Sequence, residues 1–568
     1  MVSLSLSLSL SLSQQEKHDY IILDRCAGTG ELEQFFTDEE LSHTVCSTYE
    51  VWEWEVLNER FKSDTPNEFG QYTKLRLIIP PKVFIAKQRQ HIQEAGQVII
   101  GGDALSEHFI TGKIPDTTDL LTCEKDKIEK QKLNEEYVRA IEKLNSYVND
   151  ENCNVIVCEN PPYRDITSNT SGIATKGFTN YVKEQMKKEE KGAKLNDLSN
   201  LFIWSAFKFY LKKENDYLIV YSPVKYFKSL NLCNKKFING YALNRGFFGQ
   251  AGESVVSLIE WQNINKIKNK ENYELQIIDI VNGKRNENEK NISVRKVLKT
   301  FADDEKLWDK RKDKSIACIN LSGFNLDSNS VMLHTTRREI KGHGSCFYLQ
   351  SDNFITKLPL FCAKLYPQEK WYERDVYFTT ADKGEEYVAD KQFLKSCLIY
   401  TCLTNRNKCR SFKGNDDRDY YNELCLLQDA LSDREIALKY NETTKVYEAK
   451  DEYKLNGVDQ DILYRWQLVL DEAKQLEPSL SKWGLYQIEQ ELLDKKKSDK
   501  KDTKTNIKNE TTDDFYYGET EQEITKTDKT SKKDCSNLAQ YIKELKESLK
   551  LYYKSEIQNN LFKYELLK

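Results

Sequence analysis

Tyr20-Ile21-Ile22-Leu23-Asp24-Arg25-Cys26-Ala27-Gly28-Thr29-Gly30 is the stretch on which the fold turns. Its first four residues are apolar and partly β-branched, which predicts a buried strand ending at Asp24. Two glycines then let the backbone turn tightly and approach a ligand. Glu31 to Glu40 reads as helical. Open α/β sheets bind nucleotides beyond the carboxyl ends of their strands, so this turn is a candidate cofactor loop. A glycine turn is by itself as readily structural, and it gains meaning only from the order of the later strands and acids.

Working outward, residues 20–262 alternate apolar strand-like runs with longer periodic segments. Strands are expected at Thr44–Tyr49, Leu75–Ile79, Val98–Ile100, Asn154–Val157, Tyr217–Tyr221 and Val255–Glu260, and a helix at Glu124–Val148. The pattern predicts an α/β domain with a doubly wound parallel sheet. Glu50 closes the second strand, where a carboxylate can accept both hydroxyl protons of a ribose. Asp103 follows Val98–Ile100, where it could accept from an adenine amine. Isolated acids would be unremarkable in a chain with 90 Asp plus Glu. One acid per strand end after a glycine turn favours a nucleoside pocket.

A second motif carries the chemistry: Val155-Ile156-Val157-Cys158-Glu159-Asn160-Pro161-Pro162-Tyr163. Consecutive prolines after a strand hold the backbone extended and remove two donors. The Asn160 amide oxygen and the Pro161 carbonyl can then both accept from one NH2 group, directing its lone pair toward an electrophile. No strong base is required, because the proton leaves after the new bond forms. Tyr163 offers a ring on which a base taken out of the helix could stack.

In these motifs the chain resembles the amino-group DNA methyltransferases that modify adenine N6. Asp24 to Gly30, with Ala27, Gly28 and Gly30, is similar to their cofactor loop. Glu50 and Asp103 are similar to their two acidic cofactor contacts, and Asn160, Pro161, Pro162 and Tyr163 to their catalytic tetrapeptide. Asp197 to Ala206 and Asp216 to Phe227 resemble the helix and strand that come next, and Phe248 resembles the aromatic that sandwiches the flipped adenine. The motif order resembles the γ arrangement within that family. The resemblance implies a Rossmann-like sheet that binds S-adenosylmethionine, with double-stranded DNA as partner and a separate C-terminal mixed α/β region that recognises the target. It further implies a restriction-modification setting, a possible separate restriction endonuclease and a cytoplasmic location. Members of this order usually carry a further cofactor-binding segment before the glycine loop. Here only a Ser-Leu tract stands there, which leaves the activity of this product open.

That tract alternates strictly from Ser3 to Ser13, within a low-complexity leader at residues 1–19. It is too short and too polar to span a bilayer. A two-base repeat would encode it, so expression switching by frameshift is one expectation and a disordered or weakly stranded tail another. The length, 568 residues, suggests about three domains. After residue 262 the periodicity changes, and residues 263–493 are read as the target-recognition region. Residues 494–534 are rich in Lys, Asp, Thr and Ser and read as a disordered charged insert, before a C-terminal helix at 535–568.

Net charge is only −5, so a nucleic-acid groove must come from local sorting of charge. Candidate DNA contacts are Lys176, Lys183, Lys187, Lys188, Lys191 and Lys194 beside the tetrapeptide. Arg337, Arg338 and His343, and Asn405-Arg406-Asn407-Lys408-Cys409-Arg410 with Lys413, are candidates further on. Most such clusters are solvated faces. The fourteen cysteines lack zinc spacing and suit reduced, buried thiols, and no membrane segment is read. An RNA adenine methyltransferase, a protein-glutamine N-methyltransferase and a DNA-binding component lacking a cofactor pocket remain as alternatives.

Overall fold

The computed structural model describes residues 19–85, 97–100, 102–113, 124–162, 180–248, 254–265, 272–281, 284–285 and 291–301. It further describes 303–304, 315, 317–320, 326, 331–334, 346–350, 352–413, 419–421, 438–450, 452–480, 483–501 and 533–568. The chain divides into two compact units, the second beginning at Val297.

The first unit is built on a nine-stranded mixed sheet. Its strands are β1 (Asp19–Asp24), β2 (Thr44–Cys46), β3 (Leu77–Ile78), β4 (Cys153–Glu159) and β5 (Tyr217–Ser222), followed by β6 (Lys235–Asn244), β7 (Val255–Asn265), β8 (Asn272–Ile278) and β9 (Asn291–Arg295). Their spatial order is β9-β8-β6-β7-β5-β4-β1-β2-β3. The half from β3 through β2, β1 and β4 to β5 is parallel. Its strands are buried on both faces, as shown by Ile21, Ile22 and Leu23 in β1 and Val155, Ile156 and Val157 in β4.

The expectation of a purely parallel sheet needs correction. β7 lies antiparallel between β5 and β6, because the connection from β6 is too short for a crossover. β6 itself is not evident in the sequence: Lys235-Lys236 at its start and Asn239-Gly240 at its centre weaken the strand pattern. Gly240 is nevertheless required there, since a Cβ would sit 2.5 Å from Leu275 Cδ2 on β8. Edge-to-face contacts among Phe227, Phe237, Trp261 and Tyr273 bind this half together. The sequence places a change of module after residue 262, whereas β8 and β9 extend the same sheet as far as Arg295.

Two further expectations differ. Val98–Ile100, read as a sheet strand, forms a separate antiparallel hairpin in which Gln97–Ile100 pairs with Lys82–Ile85. Pro80-Pro81 removes two backbone donors just after β3 and turns the chain out of the sheet. The helix expected over Glu31–Glu40 is only a turn at Glu33–Phe35 and a short helix at Asp38–Ser42. Phe36 is extended, and Thr37 starts the second helix with a capping box, its Oγ1 accepting from Glu40 N at 3.2 Å.

Three helices matter for the site. α1 (Val51–Arg60) follows β2; α2 (Glu124–Asn149) buries Tyr137, Ile141, Leu144 and Val148; and α3 (Leu198–Ser205) is buried along its length. Asp197 caps α3 by accepting from Ser199 N at 3.0 Å. Asp216 ties the parallel half together, accepting from Val155 N at 2.8 Å and from Lys212 and Lys213 N at 2.7 Å.

The second unit combines a four-stranded sheet with helices at Phe354–Lys364, Lys391–Leu403, Gly457–Leu476, Leu485–Lys501 and Lys533–Tyr552 around one apolar core. A buried Lys395–Asp459 ion pair, with Tyr552 Oη donating to Asp459 at 2.7 Å, joins three of these helices. The insert read from residue 494 begins inside helix Leu485–Lys501, and residues 502–532 lie outside the described residues. Among the described residues no helix is long and apolar enough to cross a membrane.

Candidate functional site

The topology first says where a ligand would sit. From β1 the chain moves outward to β2 and β3, then returns to the opposite side of β1 as β4 and continues to β5. The strand order reverses between β1 and β4, and ligands in open α/β sheets bind beyond the carboxyl ends at such a point. Both sequence motifs end there: Asp24 closes β1, and Asn160 follows β4.

The glycine loop is held by the neighbouring strand. Ser47 N donates to Asp24 O at 2.9 Å, Ala27 N donates to Ser47 O at 2.9 Å, and Ser47 Oγ donates to Arg25 O at 2.9 Å. Gly28 has φ +57°, and an added Cβ would meet only Glu53 Oε1 at 3.9 Å. That is an ordinary contact, so it is the backbone angle that excludes a side chain. Gly30, at φ +81°, differs: a Cβ would lie 2.5 Å from Phe61 and 2.8 Å from Leu57, so this residue lets the loop pack against α1. Glu50 is the exposed N-cap residue of α1, with its N–H donating to Glu53 Oε2 at 3.3 Å.

Asp103 reaches the same end of the sheet by a different route from the expected one. It follows the hairpin rather than a sheet strand, and Gly102 brings it in: a Cβ there would be 3.0 Å from Ser47 Cβ. Asp103 is partly buried and accepts from Leu105 N at 3.1 Å. Beside it is Lys82, which no sequence motif singles out. Lys82 is buried, with Nζ 4.8 Å from the Tyr137 ring centroid and 3.4 Å from Ser106 Oγ. Burial pushes its pKa down to about 8, and the nearby Asp103 charge opposes that shift.

The tetrapeptide is anchored by an ion pair that spacing alone could not reveal. Arg25, immediately after Asp24, meets Glu159, immediately before Asn160. Arg25 Nε donates to Glu159 Oε2 at 3.0 Å and Nη2 to Oε1 at 2.6 Å. Nη1 donates to Ser205 Oγ at 2.7 Å and Nη2 to Phe202 O at 2.8 Å on α3, and the guanidinium lies over the Phe202 and Tyr210 rings. Both side chains are fully buried. A bidentate pair of this kind, held by further hydrogen bonds, fixes orientation as well as charge. It clamps the glycine loop, the tetrapeptide strand and α3 into one unit.

Asn160 is exposed, Pro161 buried and Pro162 exposed. Asp24, Ala27, Gly28, Gly30, Glu50, Asp103 and Asn160 to Pro162 therefore all lie at the carboxyl ends of β1, β2 and β4 or on what packs there. Tyr163 lies outside the described residues. Phe248 ends a short helical turn, Arg245–Phe248, between β6 and β7, and its side chain is likewise outside them.

Several candidate DNA contacts look different in the structure. Asn407 is buried, its Nδ2 donating to Thr401 O at 3.2 Å and its Oδ1 accepting from Cys409 N at 3.1 Å, so it holds the chain rather than facing outward. Cys409 is buried as well, Asn405 donates to Glu489 at 3.0 Å, and Lys408 lies over Tyr486. After the tetrapeptide in sequence, Lys187 and Lys194 form ion pairs with Glu184 and Glu190, whereas Lys191 is exposed. Lys176, Arg337, Arg338 and His343 are outside the described residues.

No family model and no curated protein matches the chain. Among solved structures it is similar to a chain of the DrdV–DNA complex determined by cryo-electron microscopy, at 14% identity and a TM-score of 0.29. That similarity covers 49% of this chain and spans 27% of the other.

Proposed function

We propose that the chain is an S-adenosylmethionine-dependent DNA methyltransferase acting on the exocyclic amine of adenine, built on a Rossmann-like cofactor-binding sheet. The observation that supports this best is the meeting of the glycine loop and the Asn160 tetrapeptide on adjacent strand ends, where the strand order reverses. The residues fit the cofactor: a Cβ at Gly28 would make a single ordinary contact, and carboxylates stand at Glu50, which starts α1 after β2, and at Asp103, which Gly102 packs against Ser47. S-adenosylmethionine supplies an electrophilic methyl group. Glu50 takes the ribose hydroxyls, Asp103 the adenine amine, and the glycine loop admits the amino-acid end. Asn160 Oδ1 and the Pro161 carbonyl accept from the target amine and aim its lone pair, while Tyr163 stacks on the extruded base. The second unit supplies target selectivity, with double-stranded DNA as substrate and a restriction-modification system as the setting.

The test is to express the chain in a host lacking adenine methylation and to sequence its DNA by a method that reads N6-methyladenine directly. Methylation at one recurrent sequence is expected. An unmodified genome, with cofactor binding demonstrated, would reject DNA as the substrate.

Two narrower outcomes are expected. Asp103→Ala should weaken S-adenosylmethionine binding by about 1–3 kcal/mol, the cost of leaving a buried polar partner unpaired, as measured by calorimetric titration. Unchanged affinity would remove Asp103 from the pocket. Residues 19–296, expressed without the second unit, should still bind cofactor but lose sequence-selective DNA binding in a competition assay. Retained selectivity would place recognition in the first unit.

A further inference from the structure

β1 ends in two acid–base environments. Arg25 is fully matched by Glu159, whereas Asp24 faces another carboxyl group. Asp24 is 2% exposed and Glu33, on the short turn after the glycine loop, is fully buried. Asp24 Oδ1 accepts from Cys26 N at 2.8 Å. Among the described residues, neither carboxyl oxygen of Glu33 makes a hydrogen bond of ordinary geometry, and the groups nearest to it are the Asp24 carboxyl, the Cys46 thiol and its own backbone N–H. The other titratable groups around the two acids are the Cys26, Cys46 and Cys158 thiols, Glu159 and Arg60. Glu159 is committed to Arg25, and Arg60 is paired at the surface with Glu31 at 2.8 Å. The Arg60 charge reaches Glu33 from a distance and favours its ionised form, but among the described residues no cation forms an ion pair with either carboxyl. Two ionised carboxylates in such a place would bear the desolvation cost of both charges as well as their mutual repulsion.

We propose that Asp24 and Glu33 hold one proton between them beneath the glycine loop, and that seating the cationic amino-acid end of S-adenosylmethionine over that loop expels it. This rests on the proposed function and adds Glu33 as a residue that tunes cofactor binding. The pair carries one negative charge before binding and two afterwards, and the lost proton passes to the buffer. Its field acts on the cation across a poorly screened region at the end of β1, so no direct contact is needed. Burial and the neighbouring carboxyl both raise the Asp24 pKa, and burial chiefly raises that of Glu33. The two shifts agree with a shared proton.

The experiment is calorimetric titration of the full chain with S-adenosylmethionine at one pH, in buffers of different ionisation enthalpy. The wild type should release a substantial fraction of one proton per cofactor bound. Glu33→Gln should release almost none and bind about tenfold more weakly, a loss of about 1.4 kcal/mol. Binding heats independent of the buffer in the wild type, or equal proton release in Glu33→Gln, would overturn the linkage.

A ligand-free arm tests the pair separately. An acid whose pKa is raised by folding keeps its proton more tightly in the native state. Its contribution to stability is full at low pH and is lost as pH rises from the ordinary carboxyl range toward the raised value. Glu33→Gln should therefore melt at a higher temperature than wild type at neutral and alkaline pH, with the difference shrinking in acid. A variant no more stable than wild type at any pH would overturn proton sharing. Absence of any binding heat would instead reject the proposed function and the linkage, while the melting comparison still decides the pair.

Discussion

Glu159→Ala should destabilise the first unit by about 3–5 kcal/mol, because it leaves the Arg25 guanidinium buried without its counter-ion. The geometry is the reason for so large a value. The guanidinium is fully enclosed, two of its bonds go to Glu159, and the remaining bonds to Ser205 Oγ and Phe202 O carry no compensating charge. Urea denaturation followed by the fluorescence of Trp204 and Trp261 would report the shift in midpoint. The double variant Arg25→Met/Glu159→Met should recover most of the loss, since an apolar pair of similar volume often replaces a buried ion pair without penalty. If the single variant unfolds at the wild-type midpoint, the clamp between loop and tetrapeptide does not exist. If the double variant is as unstable as the single one, packing rather than charge accounts for the effect.

Asn160→Ala should lower the single-turnover rate of methyl transfer by about a hundredfold or more. An acceptor whose bond strengthens as positive charge develops on the amine is worth several kcal/mol in a water-poor site. Asn160 is exposed at the end of β4, so its removal leaves no cavity, and stability should change little. Base extrusion, followed by 2-aminopurine fluorescence at the target position, should persist because Tyr163 is retained. Tyr163→Ala is expected to do the reverse, weakening the hold on the base by roughly 1–3 kcal/mol. A near-normal transfer rate in Asn160→Ala, in protein shown to bind cofactor and DNA, would reject amine activation by this residue.

The parts of the fold that are legible in the sequence are those with one dominant signal. β1, β4 and β5 are short apolar runs buried on both faces, and α2 repeats its apolar residues at helical spacing over a long stretch. Elsewhere the local signal is ambiguous. β6 carries lysines and an Asn-Gly step because its outer positions are exposed, and Gly240 is there to let β8 approach. Gln97–Ile100 looks like any sheet strand, and only the preceding Pro80-Pro81 hints that its partner would be Lys82–Ile85. Thr37 starts a new helix, yet the residues before and after it read as one continuous helical segment.

The site divides in the same way. Asp24, Gly28, Gly30 and Asn160 announce themselves because their chemistry lies in a contiguous motif. Arg25, Glu33, Lys82 and Glu159 do not, because their roles arise only when distant segments meet. Arg25 and Glu159 flank the two motifs in sequence, and that adjacency is the one clue that could have linked them. Glu33 reads as a helical residue of no special kind. The recognition residues are the least legible: Asn407 has the right side chain for reading adenine but is committed to Thr401 and Cys409.

The Arg25–Glu159 clamp also imposes an order in time. Its partners are 134 residues apart, and ribosomes add about 5–20 residues per second, so roughly 7–27 seconds pass between the synthesis of the two. Throughout that interval the nascent β1 lacks its β4 neighbour, and the guanidinium must stay hydrated. The loop that defines the first motif thus cannot set before the strand that ends at Glu159 has been made. Until then the β4-facing edge of β1 is unpaired and open to strand-edge association.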